Sequence, residues 1–525
     1  MFFNKTKEKS ISRIKGSLIR YIVVSFVYIL SIFLSVVCFW SKRAFDIEFN
    51  EIINTLMGPL GGAGNAVLYD GLVFCVPIIL VLVVLVVGVY LVYDIRKSGK
   101  LSWERETNYK KVQVRKLIII RRIWSWVSVG LFALMLLYVD HSYQIGEYVH
   151  YRMSDSGIYE KCYVSPKSVN ITRKGKKKNL IYIYLESMES SYASKDAGGF
   201  QEVNYIPKLT ELANKNVSFS NNEMLGGFYS NYGATWTLGA LYTSLSGVPY
   251  ALPLDGNQAP TGKEFASGLI TLGDFTKSQG YNNEFLCGSD ADFAGRRMFL
   301  DRHGDYKIYD YYSAVKNDVI KKGYYVWWGI EDALLYGIAK EEIKALASKD
   351  EPFNFTMLTA DTHFPEGFVC YMCEGKYDTV TGNVLDCADR QLADFIDWCS
   401  KQPFYKDTVI VIVGDHTRMD TTLVEGLTDK ERTVYNCFIN AAVKGMEKIS
   451  DKNRKFATFD LFPTILSAMG YKIEGERLGL GTNMFSGKKT LYEKYGYHTV
   501  EGELQKNSDF YLKEFAPELI EGDKN

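Results

Sequence analysis

This chain lacks any surplus of charge: its 61 Lys and Arg residues are matched by 61 Asp and Glu. That balance leaves no electrostatic footprint for nucleic acid or another polyanion. Internal repeats and low-complexity tracts are absent too, which argues against a solenoid or a disordered tail. Histidine is scarce, with 6 in 525 residues, so a histidine placed at a strand end carries information. Charge is missing altogether from Tyr21 to Trp40 and from Gly71 to Tyr93, and a third apolar segment runs from Ile123 to Val139.

The first two uncharged segments reach the roughly 20 residues that span a bilayer, and the third meets the lower limit of about 17. A cleaved signal peptide is the alternative for the first, since Lys5, Lys7, Lys9, Arg13 and Lys15 precede it. Its apolar run is too long for that, no small-residue cleavage site follows, and further spans come after it. Continuous apolarity of this length also exceeds what one buried helix face requires. Basic residues crowd the N-terminal tail and the loop from Arg96 to Arg122, whereas the loop from Ser41 to Asp70 holds only Lys42 and Arg43. The N-terminus is therefore expected on the cytoplasmic side, with everything after about residue 140 outside. Trp40, Trp124 and Trp126 suit the interface. The expected organisation is a multi-pass plasma (inner) membrane anchor over residues 1–140, with spans at 21–40, 71–93 and 123–139. A linker over 141–177, a domain over 178–490 and an extension over 491–525 follow.

Seven of the nine cysteines lie in the exported part. Cys370, Cys373 and Cys387 could staple their segment through a disulfide, which an exporting compartment permits. Cys370-x-x-Cys373 is alternatively half of a zinc site; no second such pair completes it in the sequence, so a disulfide is preferred. Strand-like runs at Ile181–Leu185, Val217–Phe219, Glu284–Cys287, Phe353–Leu358, Val409–Val413 and Val434–Ile439 alternate with helical ones. The helices are read at Ile206–Lys215, Leu238–Ser246, Leu272–Gln279, Ala388–Ser400 and Leu461–Met469. Alternation at this spacing predicts an α/β domain with a mostly parallel sheet sandwiched by helices.

Two of these strands end in residues fit for a metal. Leu180–Leu185 runs into Glu186, and Val411-Ile-Val-Gly414 runs into Asp415 and His416. Ligands at the carboxyl ends of strands sit where open α/β sheets bind their substrates. Thr235 and Thr237 precede an apolar helix, where unpaired amides favour a phosphate or a developing oxyanion; ordinary capping is the simpler role for either. His363, in Asp361-Thr-His-Phe-Pro-Glu366, follows a strand and suits substrate contact or proton transfer. His303 and His498 read as surface residues.

In order and spacing, Glu186, the segment Gly233-Ala-Thr-Trp-Thr237, Phe293-Ala-Gly295, Asp361-Thr-His-Phe-Pro365 and Gly414-Asp-His416 resemble the alkaline-phosphatase-like, sulfatase-fold membrane transferases. Within that group the similarity is to phosphoglycerol transferases that decorate periplasmic glucans, with lipoteichoic acid synthases as relatives. It covers residues 178–490 approximately. The resemblance implies a metal held by Glu186, Asp415, His416 and a threonine that also serves as nucleophile. Thr237, ten residues before Gly247, is favoured over Thr235. His363 is implied as proton shuttle or substrate contact, and Phe293 with Arg296 as contacts to the donor headgroup. Arg297 follows directly, and solvated surface roles for these arginines stay open. The donor implied is a membrane phospholipid, phosphatidylglycerol, and the acceptor an extracytoplasmic glycan or polyol. Glu, Asp, Thr and His would accept Mn2+, Mg2+ or Zn2+, and family likeness points to Mn2+. Sulfate-ester hydrolysis is disfavoured because the segment has no Cys/Ser-x-Pro-x-Arg signature. Phosphoethanolamine transfer, whose enzymes frame the nucleophile with cysteines absent here, and a non-catalytic membrane scaffold are the competing readings.

Overall fold

The computed structural model describes residues 18–44, 49, 65–104, 107–252, 264–428, 430–443 and 450–522. The basic N-terminal tail and most of the 41–70 loop lie outside these residues. The described chain divides into two compact units, with the boundary near Tyr148.

The first unit is helical: α1 (Leu18–Ala44), α2 (Asn65–Val83), α3 (Val89–Trp103) and α4 (Asn108–Tyr143). One π-turn, Val84–Gly88, joins α2 to α3 without interrupting the helical rod. Three segments, Ile19–Ala44, Tyr69–Trp103 and Asn108–Tyr143, are long and apolar enough to cross a membrane. The stretch expected as a loop from Arg96 to Arg122 is mostly helical instead: α3 runs to Trp103 and α4 begins at Asn108, capped by Thr107. Its Lys and Arg residues are good helix formers, so charge there marks the end of apolarity and not of the helix. Asp94 accepts from Arg121 at 2.8 and 3.0 Å and from Arg20 at 3.2 Å, joining α1, α3 and α4 through one carboxylate.

The second unit is built on six strands: β1 (Asn179–Leu185), β2 (Asn282–Cys287), β3 (Lys307–Tyr309), β4 (Phe353–Leu358), β5 (Thr408–Gly414) and β6 (Asn436–Ile439). They lie in the order β3-β2-β4-β1-β5-β6, parallel except for β6, which runs against β5. Both faces of the sheet are covered. Leu180, Tyr182 and Tyr184 belong to one core, while Ile181, Ile183 and Leu185 belong to the other. A strand buried on both faces favours apolar residues on both, which is why Leu180–Leu185 of β1 and Val409–Val413 of β5 read as unbroken runs, whereas β4 buries Asn354, which donates to the Tyr306 hydroxyl at 2.9 Å. Helices α5 (Pro207–Lys215), α8 (Asp332–Ala347) and α9 (Val380–Ser400) pack on one face. The other face carries α6 (Thr237–Ser246), α7 (Leu272–Ser278) and α10 (Leu461–Ala468).

Val217–Phe219 is not a strand; Val217 makes only an isolated antiparallel bridge to Phe438, too short a pairing to extend the sheet. The β6 strand begins at Asn436, and Val434 bridges Glu189 and Phe228 instead. The α9 helix starts eight residues before the expected Ala388, because Thr379 caps it by accepting from Gly382 N at 3.1 Å. Residues expected as linker and extension also enter the core: Ile158 and Tyr159 on one side, Leu491, Tyr492, Val500, Leu504, Tyr511 and Phe515 on the other.

Candidate active site

Pairing of β1 with β5 sets Leu185 opposite Gly414, so the next residue on each strand emerges at the same rim. Those residues are Glu186 and Asp415, and the Asp415 N–H donates to Leu185 O at 3.1 Å, extending the ladder one step. Gly414 is demanded by crowding: a Cβ there would stand 2.1 Å from the Met188 carbonyl oxygen. The chain after Glu186 turns sharply over the strand end, with Ser187 at φ 52°.

Glu186, Asp415 and His416 are buried, at 3%, 1% and 1% exposure, and place one ligand atom each within 4.8 Å of the others. His416 Nε2 lies 3.7 Å from Glu186 Oε1 and 3.4 Å from Asp415 Oδ2. His416 Nδ1 stands 2.7 Å from the Thr417 carbonyl, to which it donates, so Nε2 carries the lone pair. Asp415 Oδ1 accepts from the Ser187 and His416 N–H groups at 2.8 Å each, whereas Oδ2, fully buried, accepts no hydrogen bond. An orphaned carboxylate oxygen facing an imidazole lone pair and a second carboxylate is the arrangement a divalent cation satisfies. The residues fit a metal.

Burial opposes charge on Glu186, but His363, His416 and the Ser187 hydroxyl, which donates to Oε1 at 2.7 Å, hold its carboxyl below the usual range. Burial and the neighbouring Glu186 charge push Asp415 the other way, upward. Two adjacent carboxylates in a dry site cannot both ionise cheaply without a cation between them.

Thr237 is the first residue of α6, and its hydroxyl donates to Glu186 Oε2 at 3.4 Å. Thr235 stands two residues earlier, outside the helix. Thr237 meets the acidic cluster on the helix terminus whose amides point outward.

His363 follows β4 on a loop tied to the same rim: Thr362 donates to the Glu186 carbonyl at 2.5 Å, and Thr359 Oγ1 accepts from Glu186 N at 3.0 Å. His363 Nδ1 donates to Phe364 O at 2.7 Å, and burial lowers its imidazole pKa against the pull of Glu186. Its ring lies 4.6 Å from Trp328, which lies 5.6 Å from Phe293. These aromatics connect two expected substrate contacts through a residue that sequence reasoning missed. The cluster Tyr324-Tyr-Val-Trp-Trp-Gly329 was its only signal. Arg296 is buried and spends its guanidinium locally, on Ser289 Oγ at 2.9 Å and Asp290 O at 2.7 Å. Arg297 pairs with Asp292 at 2.8 Å and with Asp310. His303, expected at the surface, is buried at 4% exposure, its Nε2 2.7 Å from the Phe265 carbonyl.

A further layer was not legible beforehand. Glu189 forms a buried ion pair with Arg432 at 2.6 Å and accepts from Arg418 N at 2.8 Å, while Arg418 Nη1 donates to Thr362 O at 2.8 Å. This network links the segments after β1, β4 and β5.

Comparison with known proteins adds a family. The model of the family "Sulfatase" matches residues 178–471. Phosphoglycerol transferase I of Salmonella choleraesuis (strain SC-B67) is 31% identical over 319 residues, covering 59% of this chain and 39% of that protein. The same-named protein of Salmonella typhi matches at 31% identity over the same shares, 59% and 39%. The chain therefore spans about two fifths of the length of these curated relatives. Among solved structures, the lipoteichoic acid synthase LtaP from Listeria monocytogenes aligns at 18% identity and a TM-score of 0.47, covering 60% of this chain and 79% of that one. Phosphoethanolamine transferase A from Neisseria meningitidis aligns at 13% identity and a TM-score of 0.47, over 87% and 85% of the two chains.

Proposed function

Because the chain belongs to the sulfatase family, and because a threonine hydroxyl meets a buried Glu-Asp-His cluster at a helix start, we propose that it is a membrane-anchored phosphoglycerol transferase. It takes the group from a membrane phospholipid, phosphatidylglycerol, and passes it to an extracytoplasmic glycan or polyol. The observation that carries this reading is the 3.4 Å contact of Thr237 Oγ1 with Glu186 Oε2. The 31% identity to proteins named phosphoglycerol transferase I supports the choice of group. The missing Cys/Ser-x-Pro-x-Arg signature argues against sulfate esters, and the lack of cysteines around Thr237 argues against phosphoethanolamine transfer.

Glu186, Asp415, His416 and Thr237 would hold a divalent cation, for which we propose Mn2+. When bound, it supplies Lewis-acid stabilisation of phosphoryl oxygens and a lowered hydroxyl pKa. Thr237 Oγ1 attacks the phosphorus of the phosphodiester and gives its proton toward Glu186. The bond from phosphorus to the diacylglycerol oxygen breaks, and His363 Nε2 takes a proton from solvent and passes it to that oxygen, which leaves as diacylglycerol. The α6 amides face the charge that spreads over the phosphoryl oxygens. In the second step the acceptor hydroxyl loses its proton to His363 Nε2, which releases it to solvent, and attacks the glycerophospho-threonine; the bond from phosphorus to Thr237 Oγ1 breaks and Thr237 takes its proton back from Glu186. Phe293, Trp328 and His363 line the approach for the headgroup. Three membrane spans with a cytoplasmic N-terminus put this domain outside the membrane, where tethering raises the local concentration of the lipid donor.

The test is release of labelled diacylglycerol from phosphatidylglycerol, coupled to mass analysis of the trapped enzyme. A peptide containing Thr237 heavier by one glycerophosphoryl group is expected. An adduct of a different headgroup mass, or an adduct on another residue, rejects this assignment.

A further inference from the structure

Away from the Glu-Asp-His cluster, the fold completes a group that the sequence left half built. Cys370 and Cys373 lie in the loop after His363, and Cys387 projects from α9. Cys370 Sγ is 3.9 Å from Cys373 Sγ and 3.7 Å from Cys387 Sγ, and all three sulfurs lie within 4.8 Å of one another. Sulfurs around a tetrahedral zinc at about 2.3 Å stand roughly 3.8 Å apart, so these separations match a thiolate cage. Gln391, one turn beyond Cys387 and 5% exposed, turns its amide into the group. Its Nε2 lies 3.3 Å from Cys387 Sγ and 3.8 Å from Cys370 Sγ, and its buried Oε1 has no partner. Ion pairs brace the same segment: Arg390 donates to Met372 O at 3.1 Å and pairs with Asp386 at 3.0 Å and Glu374 at 3.3 Å, and Lys376 pairs with Asp386 at 3.0 Å.

We propose that Cys370, Cys373 and Cys387 form a structural zinc site through their three thiolates, with the Gln391 side-chain N–H groups donating to the Cys387 and Cys370 sulfurs. Each thiol gives its proton to solvent as the cation enters, and no oxidant is consumed. Three thiolates around Zn2+ leave one net negative charge. Soft sulfur ligands select zinc over the magnesium or manganese that an oxygen-rich cluster accepts, so the two centres differ in preference. Cys373, the partly exposed member, is the point of entry. The site pins the 366–379 loop to α9, and Phe368 N, donating to Asp361 O at 2.7 Å, relays that anchorage to the segment bearing His363. A disulfide, the preference from sequence, would use only two of the three sulfurs and require an oxidant.

Full-length protein purified in detergent without chelator provides the test. X-ray absorption at the zinc edge is expected to show sulfur neighbours at about 2.3 Å. Cys387→Ser should lose one zinc equivalent, and Asp415→Asn should keep the sulfur signal, because its cluster lies elsewhere. Alkylation mapped by mass spectrometry serves should the serine variant fail to fold: in the wild-type protein these three cysteines should label only after a zinc chelator is added. Labelling that requires a reductant, labelling that requires neither reagent, or indifference to the chelator overturns the proposal.

Discussion

Leu185 faces Gly414 in the last rung of the β1–β5 pair, and this register alone brings Glu186 beside Asp415. Because residues in a parallel ladder advance together, a slip by one position would turn one of the two carboxylates to the opposite face. The Glu186–Met188 turn locks the register by lying directly on Gly414. Gly414→Ala would drive a methyl group to 2.1 Å from Met188 O and 2.6 Å from Val434 Cγ1. Overpacking of this kind costs about 1–3 kcal/mol or more. The expected result is a lowered melting temperature together with weakened Mn2+ binding in calorimetry; a variant of wild-type stability and affinity would contradict the crowding argument.

Thr237 and Thr235 are separable by chemistry. If Thr237 carries the group, Thr237→Ala abolishes diacylglycerol release and leaves no adduct, while Thr237→Ser keeps a hydroxyl at the helix start and retains measurable turnover. Thr235→Ala should still form the adduct. The opposite pattern, with the adduct lost only in the Thr235 variant, would reassign the nucleophile.

Ser187 tests the support around the ligands. Its hydroxyl donates to Glu186 Oε1 at 2.7 Å and its N–H to Asp415 Oδ1 at 2.8 Å. Ser187→Ala removes the first contact and keeps the second. Loss of a group that orients a ligand commonly costs about 10–100-fold in metal affinity, and that range is expected for Mn2+ titrated into the variant. Unchanged affinity would show that Glu186 is held by other contacts.

The strands bearing ligands were legible because burial on both faces of a parallel sheet writes itself as uninterrupted apolar residues, as in Val409–Val413. The acids beyond them were legible because a charge at the end of such a run has to emerge at a rim. Lys307–Tyr309 was missed: as an edge strand it is covered less, and Lys307 turns to Glu284 and Glu342 at 3.3 and 2.5 Å. Val217–Phe219 was overread because an apolar run does not reveal whether a partner strand continues alongside it. Trp328, Arg418, Glu189 and the meeting of Cys387 with Cys370 depend on contacts between distant segments, which no local periodicity encodes. The first turns of α9 were hidden by Gly382 and Asn383, polar or small residues that interrupt the apolar rhythm while Thr379 caps the helix.

Metal loading should depend on pH in a direction set by Asp415. Burial, followed by the charge of Glu186, pushes its carboxyl up to about 7 in the metal-free protein, with His416 pulling the other way. Glu186 is held below the usual range and stays ionised, so it does not supply the same dependence. Above that pH Asp415 is a carboxylate and accepts the cation directly; below it, the cation must displace a proton. Apparent affinity should therefore fall as pH drops from about 8 to 6, approaching tenfold per unit below the pKa. Asp415→Asn should bind more weakly at every pH, with a flatter profile, because the titrating carboxyl is gone; any slope that remains belongs to His416 and His363. Calorimetric titration with Mn2+ across that range decides the matter, and a wild-type profile independent of pH would rule out a protonated Asp415 in the metal-free site.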